Sequence, residues 1–250
     1  YQNKYYEWLE NGRSFQLIYI QGASSIGKTA FAREIGKEFN KIKGLRPTAI
    51  HNAPNDTKGA RYDFLSGYEN EAVTVFDDLR PNTFGYTEFL NLFEKDRVSK
   101  YSSRFNDKAW FAELALITKS TSIQDWTSKL SYSELKSASV EDKPNVLYQP
   151  RRRFSLIIDI SAENVVLSSY VLNNRKKMTH EVKEIKSFKC PESKDGNVGF
   201  WNSTFQKKII KEIMVLLGFA EPSNADLKSI EVDSETVDKL EKLLSKKGGD

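Results

Sequence analysis

Near the start of the chain, the apolar and polar positions predict a strand, a glycine-containing turn and a helix. Residues 15–20 form a short run of aromatic and β-branched side chains, which is typical of a buried strand. Residues 28–39 have apolar side chains at intervals of three and four, as on one buried face of a helix. These side chains are Phe31, Ala32, Ile35 and Phe39. Residues 1–14 have the pattern of a helix that ends at an Asn-Gly turn.

Similar patterns along the chain predict further strands that alternate with helices. Apolar runs predict strands at 47–51, 72–76, 114–117 and 154–160, and helical spacing predicts a helix at 86–93. This alternation predicts a mainly parallel sheet. Two polar segments that contain turn-forming residues, 56–67 and 141–150, are predicted to be loops.

After residue 160 the pattern changes. A strand-like segment at 165–172 leads into a lysine-rich polar stretch that continues to residue 199. Helical spacing follows at 205–217 and again at 235–244. No chemical motif is evident in this region, so the sequence assigns it no role.

Composition narrows the class of protein. The 250 residues include 39% hydrophobic and 29% charged residues, and no apolar run is long enough to span a bilayer, so a membrane protein is not expected. The 38 basic and 34 acidic residues give a small positive balance, so any nucleic-acid site must be local. Cys190 is the only cysteine, which excludes an internal disulfide and suits a reducing compartment. The chain begins at Tyr1, and we expect it to be part of a longer protein.

The turn between the first strand and the first helix matches the spacing of a phosphate-binding P-loop. Its glycines allow backbone N–H groups to turn towards phosphate oxygens, and the helix that follows adds the positive end of its dipole. Lys28 is expected to reach the β- and γ-phosphates, and the Thr29 hydroxyl is expected to bind Mg²⁺. The motif consists of Gly22, Ala23, Ser24, Ser25, Ile26, Gly27, Lys28 and Thr29.

Two later strands end in polar residues that could face the same phosphates. Residues 73–76 are apolar and lead into Asp77 and Asp78, an arrangement that places carboxylates beside a P-loop. We expect Asp77 to hold Mg²⁺ and Asp78 to polarise the attacking water. Residues 114–117 lead into Thr118, Lys119 and Ser120, where a polar side chain could sense the γ-phosphate.

Two basic segments are candidates for contact with polyanions. Residues 100–111 predict a β-hairpin around an Asn-Asp turn, and the candidate DNA-binding residues on it are Lys100, Arg104, Phe105 and Lys108. The alternative is a solvated hairpin whose aromatic side chains belong to the core. Arg151, Arg152 and Arg153 precede the strand at 154–160 and are expected to meet solvent, nucleic acid or a neighbouring subunit's nucleotide.

No residues support nucleolytic chemistry. His51 and His180 do not belong to a His-x-His pair, so we expect both to be packing or surface residues. The pair Tyr5 and Tyr6 has no metal-binding cluster beside it, so we expect these tyrosines to pack rather than to act as nucleophiles.

Taken in order, these motifs resemble a superfamily 3 helicase domain. The set comprises the P-loop, the strand ending in Asp77 and Asp78, the basic hairpin, the third strand with Trp126 shortly after it, and the arginine cluster before a late strand. The similarity extends over about residues 15–160. It is greatest to replication initiators (Rep) of rolling-circle plasmids and small circular single-stranded DNA viruses.

The resemblance implies an α/β P-loop NTPase fold of the AAA+-like type, with a mainly parallel sheet flanked by helices. Residues 1–14 would then be the end of a short oligomerisation helix, residues 15–160 the helicase domain and residues 161–250 a C-terminal α+β extension. Family members usually have an N-terminal nicking domain with a histidine-bound metal and a tyrosine nucleophile, and this segment does not show one.

The resemblance also implies roles for particular residues. The P-loop with Asp77 and Asp78 would bind Mg-ATP, and the hairpin would line a central channel and grip DNA. The family's third motif normally ends in asparagine, whereas Ser120 occupies that place here, so either Ser120 or Lys119 is expected to contact the γ-phosphate. The arginine finger that reaches into the adjacent subunit would be Arg152 or Arg153.

The leading hypothesis is therefore an ATP-dependent DNA helicase motor that translocates on single-stranded DNA as a hexameric ring. Host replication proteins are possible further partners, and the location would be the cytoplasm of a plasmid's bacterial host, or the host nucleus for a virus. Two alternatives stay open: an RNA helicase of an RNA virus, and an ATP-switched DNA-binding or origin-recognition module that does not translocate. A small-molecule kinase is least favoured, because it would leave the hairpin and the arginine cluster without a role.

Overall fold

The computed structural model describes residues 14–54, 63–95, 100–102, 107–191 and 199–221. The elements in chain order are β1 (Gln16–Gly22), α1 (Lys28–Ile42), β2 (Ile50–Asn52), β3 (Val73–Phe76), α2 (Tyr86–Leu92), β4 (Lys100–Ser102), β5 (Asp107–Ala109), β6 (Leu114–Lys119), α3 (Ile123–Leu130), α4 (Tyr132–Ser137), α5 (Lys143–Arg151), β7 (Leu156–Ile160), β8 (Asn164–Asn174), β9 (Thr179–Lys189) and α6 (Ser203–Leu216), with a short 3-10 helix at Gly199–Trp201.

Seven of the strands form one mixed sheet in the order β2-β3-β6-β1-β7-β8-β9. The pairs from β2 to β7 are all parallel, whereas β8 and β9 are added antiparallel at one edge. The predicted mainly parallel sheet flanked by helices is therefore confirmed. Because β6 and β7 lie on either side of β1, the carboxyl ends of these strands meet at one edge, where open α/β sheets bind ligands.

The central strand β1 is buried on both faces, as its continuous apolar sequence predicts. Leu17 and Tyr19 belong to a core cluster on one face, and Ile18 and Ile20 belong to a second cluster on the other face. The second cluster includes the apolar side of α1, so burial of this side fixes the helix that follows the P-loop. A P-loop between two such elements has little freedom to move.

Two polar segments form regular structure that their composition did not suggest. Residues 141–150, predicted to be a loop, mostly lie in α5, so that prediction is wrong. Pro144 lies in the first turn of this helix, where a missing N–H costs little. The lysine-rich stretch contains the edge strand β9, whose exposed charged side chains suit a sheet edge. β8 and β9 lie in the predicted C-terminal extension yet continue the sheet of the predicted helicase domain, and the division of the chain into three segments stays a prediction.

Arg153, one of the two candidate arginine fingers, is held inside the fold. It is only 5% exposed and is paired with Glu94, which lies just after α2, at 2.5 Å. Its guanidinium also donates to the backbone carbonyls of Gln149 and Leu90. Burial lowers the pKa of Arg153, with Arg152 acting in the same direction and Glu94 against it, and the side chain stays charged. The expectation that this arginine meets solvent or a ligand is wrong, because it joins α5 to α2.

Replacement of Arg153 should therefore cost stability. We expect Arg153→Ala to lower the free energy of unfolding by about 1–3 kcal/mol, because Glu94 and two carbonyl groups lose a charged donor. Arg152→Ala is the matched control: its side chain is 45% exposed and lies 3.7 Å from Glu94, so its loss should change stability by less than about 0.5 kcal/mol. Urea denaturation followed by circular dichroism gives both values, and equal midpoints for the two variants would contradict the structural role of Arg153.

Candidate nucleotide-binding site

The loop between β1 and α1 has a backbone that requires glycine at both ends. Gly22 has φ 153°, and a methyl group there would lie 2.3 Å from the carbonyl oxygen of Ile160 in β7. Gly27 immediately precedes α1 with φ 95° in the left-handed region, and a methyl group there would lie 2.1 Å from the indole ring of Trp201. Between them Ser25 also has a positive φ, 62°. The predicted P-loop thus adopts a tight turn that ends at a helix N-terminus.

Lys28 lies folded over this loop. Its Nζ donates hydrogen bonds to the carbonyl oxygens of Gly22, at 3.0 Å, and Ala23, at 2.7 Å. Burial lowers the pKa of the Lys28 ammonium, whereas the negative charges of Asp78 and Asp77 oppose this change. Phosphate oxygens form stronger hydrogen bonds with an ammonium group than neutral carbonyls do, so they can replace these two acceptors.

One carboxylate oxygen of Asp77 accepts hydrogen bonds from residues that follow or end two other strands. The hydroxyl of Thr29 donates to Asp77 Oδ1 at 2.6 Å, and the hydroxyl of Thr118 donates to the same atom at 2.7 Å. Thr29 follows the P-loop of β1, Asp77 follows β3, and Thr118 lies near the end of β6. A loop attached to one strand is thereby positioned against the acidic end of another.

A hydroxyl and a carboxylate in contact are oxygen ligands that suit Mg²⁺. In sites of this kind the metal takes only one or two protein ligands, and phosphate oxygens and water complete its octahedron. Thr29 and Asp77 are the residues that would hold the metal, and this role stays a prediction. No group of three or more histidine, cysteine or acidic side chains that could hold a metal occurs within the part of the chain that the structure describes.

Asp78 faces solvent beside Asp77. Its side chain is 71% exposed, and Oδ1 accepts a hydrogen bond from the Lys119 ammonium at 2.8 Å. Lys119 also donates to the Asp78 carbonyl at 3.2 Å, and the Asp78 N–H donates to the Thr118 hydroxyl at 3.3 Å. The backbone of Asp78 has φ 51°, a left-handed conformation that aspartate tolerates better than most residues. The acid is therefore held by β6 on one side and open to water on the other.

The predicted sensor residue Ser120 lies one residue past β6, at an exposed bend. Thr118 contacts Asp77 instead, because Phe76 of β3 pairs with Ile117 of β6 and the next residues lie side by side. The sequence pattern alone does not distinguish Thr118 from Lys119 and Ser120 at the polar end of this strand. Thr118 is the first polar residue after an apolar run, and this position could have marked it as a site residue. Only the strand order shows that it contacts Asp77.

Trp126 lies buried next to the turn that contains Asp77 and Asp78. The indole is 1% exposed, and its N–H donates to the carbonyl oxygen of Leu79 at 2.9 Å, directly after the two acids. Its ring packs against Tyr19 of β1, with ring centroids 6.0 Å apart. Trp126, which the resemblance to superfamily 3 helicases includes, is thus a core residue that fixes the turn after Asp77 and Asp78.

The predicted hairpin is present as two antiparallel strands, β4 and β5. Arg104 and Phe105 lie outside the described residues, as do residues 1–13 and the helix predicted at 235–244. At the base of the hairpin, Trp110 is fully buried and its indole N–H donates to the Thr74 hydroxyl in β3 at 3.0 Å. The hairpin is therefore anchored to the strand that leads to Asp77.

The histidines and the cysteine lie away from the P-loop. His51 is buried and bonded to the Phe64 carbonyl, and His180 contacts the Arg151 guanidinium at 2.7 Å. Arg151 therefore has an intramolecular role, and its Nε also donates to the Thr127 hydroxyl. Cys190 is buried. Among the described residues, none of the helices is long and apolar enough to cross a bilayer.

Comparison with known proteins identifies the segment that contains this site. Residues 18–123 match the family model described as RNA helicase. A replication protein of Onion yellows phytoplasma (strain OY-M) is 26% identical over 156 residues, or 62% of this chain and 36% of that protein. The RNA1 polyprotein of Blackcurrant reversion association virus is 27% identical over 146 residues, or 53% of this chain and 7% of the polyprotein. The chromosomal replication initiator protein DnaA of Oenococcus oeni (strain ATCC BAA-331 / PSU-1) is 34% identical over 98 residues, or 34% of this chain and 21% of DnaA.

The chain spans about a third of the phytoplasma protein and smaller parts of the other two. The family match contains the P-loop, Asp77, Asp78 and Thr118, which the sheet brings to one edge. Sequence motifs, strand order and family match therefore agree on the same segment. The chain has a P-loop NTPase fold, and the segment that carries the P-loop and its acids is similar to the helicase family that the model describes.

Proposed function

We propose that this chain is the ATP-driven motor of a replication initiator that translocates on single-stranded DNA. The observation that supports this most strongly is the convergence on Asp77 of Thr29 from the P-loop and Thr118 from β6. An acid and two hydroxyls that meet next to a P-loop support a site in which they and Lys28 would surround the γ-phosphate.

The residues of the site divide the work of phosphoryl transfer. Lys28 would leave the loop carbonyls to bind the β- and γ-phosphates, and Thr29 and Asp77 would hold the metal. Mg²⁺, when bound, neutralises charge that develops on the phosphate oxygens. Asp78 accepts a hydrogen bond from the attacking water and orients it. Lys119 pairs with Asp78 and would turn towards the γ-phosphate in place of the family's asparagine.

The proposed ring arrangement would give a role to one of the arginines before β7. Arg153 forms a close ion pair with Glu94. The Arg152 side chain is 45% exposed and lies farther from the same carboxylate, at 3.7 Å. Arg152 is therefore the better candidate for a finger that enters the nucleotide site of a neighbouring subunit, and we propose a hexamer on this basis.

The hairpin is the proposed DNA-gripping element. Its base is tied to β3 by the Trp110–Thr74 hydrogen bond, three residues before Asp77. A change at the nucleotide could move β3 and, through Trp110, the hairpin. Similarity to a replication protein and to DnaA supports a role in replication, and we propose the rolling-circle type, with host replication proteins as further partners.

RNA is the second candidate substrate. The matching family is described as RNA helicase, and one relative is the RNA1 polyprotein of Blackcurrant reversion association virus. The P-loop and its acids do not distinguish DNA from RNA, because they would contact only the bound ATP. The hairpin would decide between DNA and RNA.

Loss of Lys28 should abolish hydrolysis. We expect Lys28→Ala to reduce the rate of ATP hydrolysis by about 100-fold or more, because the transition state loses a positive charge at the transferred phosphate. Lys37→Ala is the matched control on the same helix: Lys37 is paired with Glu34 on the surface, and its loss should change the rate less than about twofold. Phosphate release measured with and without single-stranded DNA provides both rates. Unchanged hydrolysis in Lys28→Ala would refute the assignment of the site.

The hairpin charges should control binding of single strands. We expect Arg104→Ala with Lys108→Ala to weaken binding of a fluorescent oligonucleotide and to reduce the slope of log K against log salt by about 1.4, since two phosphate contacts are lost. Lys207→Ala with Lys208→Ala on α6 removes the same charge from an exposed helix face and serves as the control. Equal losses in the two double variants would point to non-specific attraction and count against the hairpin.

A further inference from the structure

A half-exposed tryptophan lies against the P-loop and has no part in the chemistry described so far. Trp201 ends the short 3-10 helix at Gly199–Trp201 and is 47% exposed. Its six-membered ring approaches Gly27 so closely that a methyl group on that glycine would lie 2.1 Å from two ring carbons. The indole thus faces solvent while touching the last residue before Lys28.

The residues on either side of Trp201 fix its position. Phe200 is fully buried and packs against Phe31 of α1, with ring centroids 5.1 Å apart and the planes at 74°. The Asn202 side chain caps α6 by accepting a hydrogen bond from the Phe205 N–H at 3.1 Å. A tryptophan held between such fixed neighbours, with nearly half of its surface exposed, has the properties of a binding surface, since aromatic rings give a large contact area at little entropic cost.

Trp201 approaches the loop from the side opposite the acids. Asp77 directly follows β3 and Thr118 lies in β6, and both strands are on one side of β1. The helix that follows Trp201, α6, packs over the other side, where Glu212 pairs with Lys186 of β9 at 2.7 Å. The site therefore has a charged end at β3 and β6 and an aromatic end towards β7.

These two ends match the two ends of a nucleoside triphosphate. The γ-phosphate must lie near Asp77 and Thr29, so the α-phosphate, ribose and base extend away from the acids. We propose that Trp201 stacks on the base of the bound nucleotide, a role that rests on the proposed nucleotide site. Every base has an aromatic face, so stacking on Trp201 strengthens binding of nucleotides in general without selecting adenine.

The test compares a nucleotide with a ligand that has phosphates and no base. Binding of Mg-ADP and of magnesium tripolyphosphate is measured by calorimetry on the parent, Trp201→Ala and Trp201→Phe. We expect Trp201→Ala to weaken Mg-ADP by about 5- to 100-fold and to leave tripolyphosphate within about twofold. Trp201→Phe should retain most of the affinity for Mg-ADP. Tyr132→Ala, which removes another exposed aromatic ring, is the control and should bind both ligands as the parent does.

Several outcomes would overturn the stacking role. Parent-like binding of Mg-ADP by Trp201→Ala would do so, and an equal change for both ligands would show that Trp201 shapes or covers the loop. Fluorescence gives a readout that does not depend on the alanine variant: Mg-ADP should quench the parent, and Trp201→Phe should lose this quenching. Quenching that persists in Trp201→Phe would exclude the contact. Failure of the nucleotide site itself is distinct, because then the parent would bind neither ligand, or Lys28→Ala would bind both as well as the parent.

Discussion

The Oδ1 atom of Asp77 accepts hydrogen bonds from two threonine hydroxyls that come from different strands of the sheet. Thr29 brings the start of α1 to this atom, and Thr118 brings the end of β6. The parallel register of β3 with β6 and of β6 with β1 makes the meeting possible. If the acid were moved by one residue along β3, its side chain would point to the opposite face of the sheet, and the P-loop would lose its metal-binding partner.

The surrounding packing keeps this meeting point in place. Trp126 holds the turn after the acids, and the buried side of α1 holds the P-loop. Trp110 ties the hairpin to the same strand that carries Asp77. These tryptophans have no charge and take no part in chemistry, yet they determine where the charged residues lie. A site assembled from loops depends on such fixed neighbours, because hydrogen bonds between exposed groups are individually weak.

The positions of the P-loop and of the acids after β3 were largely predictable from sequence because these patterns are local. A glycine turn between a strand and a helix, and acids at the end of an apolar strand, are patterns of a few adjacent residues. Contacts between distant residues were not predictable in this way. Thr118 rather than Ser120 meets Asp77 because of strand register, and Arg153 is paired with Glu94, 59 positions earlier in the chain. Trp201 reaches Gly27 because β8 and β9 extend the sheet and α6 packs against α1, which a polar, lysine-rich segment gave no reason to expect.

The most direct measurement of the proposed motor is strand separation. The chain would be incubated with forked duplexes of DNA and of RNA of the same sequence, with ATP or with an analogue that cannot be hydrolysed. A DNA motor should separate the DNA duplex with ATP, fail to do so with the analogue, and act on RNA more slowly. Hydrolysis of ATP without separation of either duplex would contradict the motor and favour a nucleotide-switched binding module, and faster separation of RNA would contradict DNA as its track.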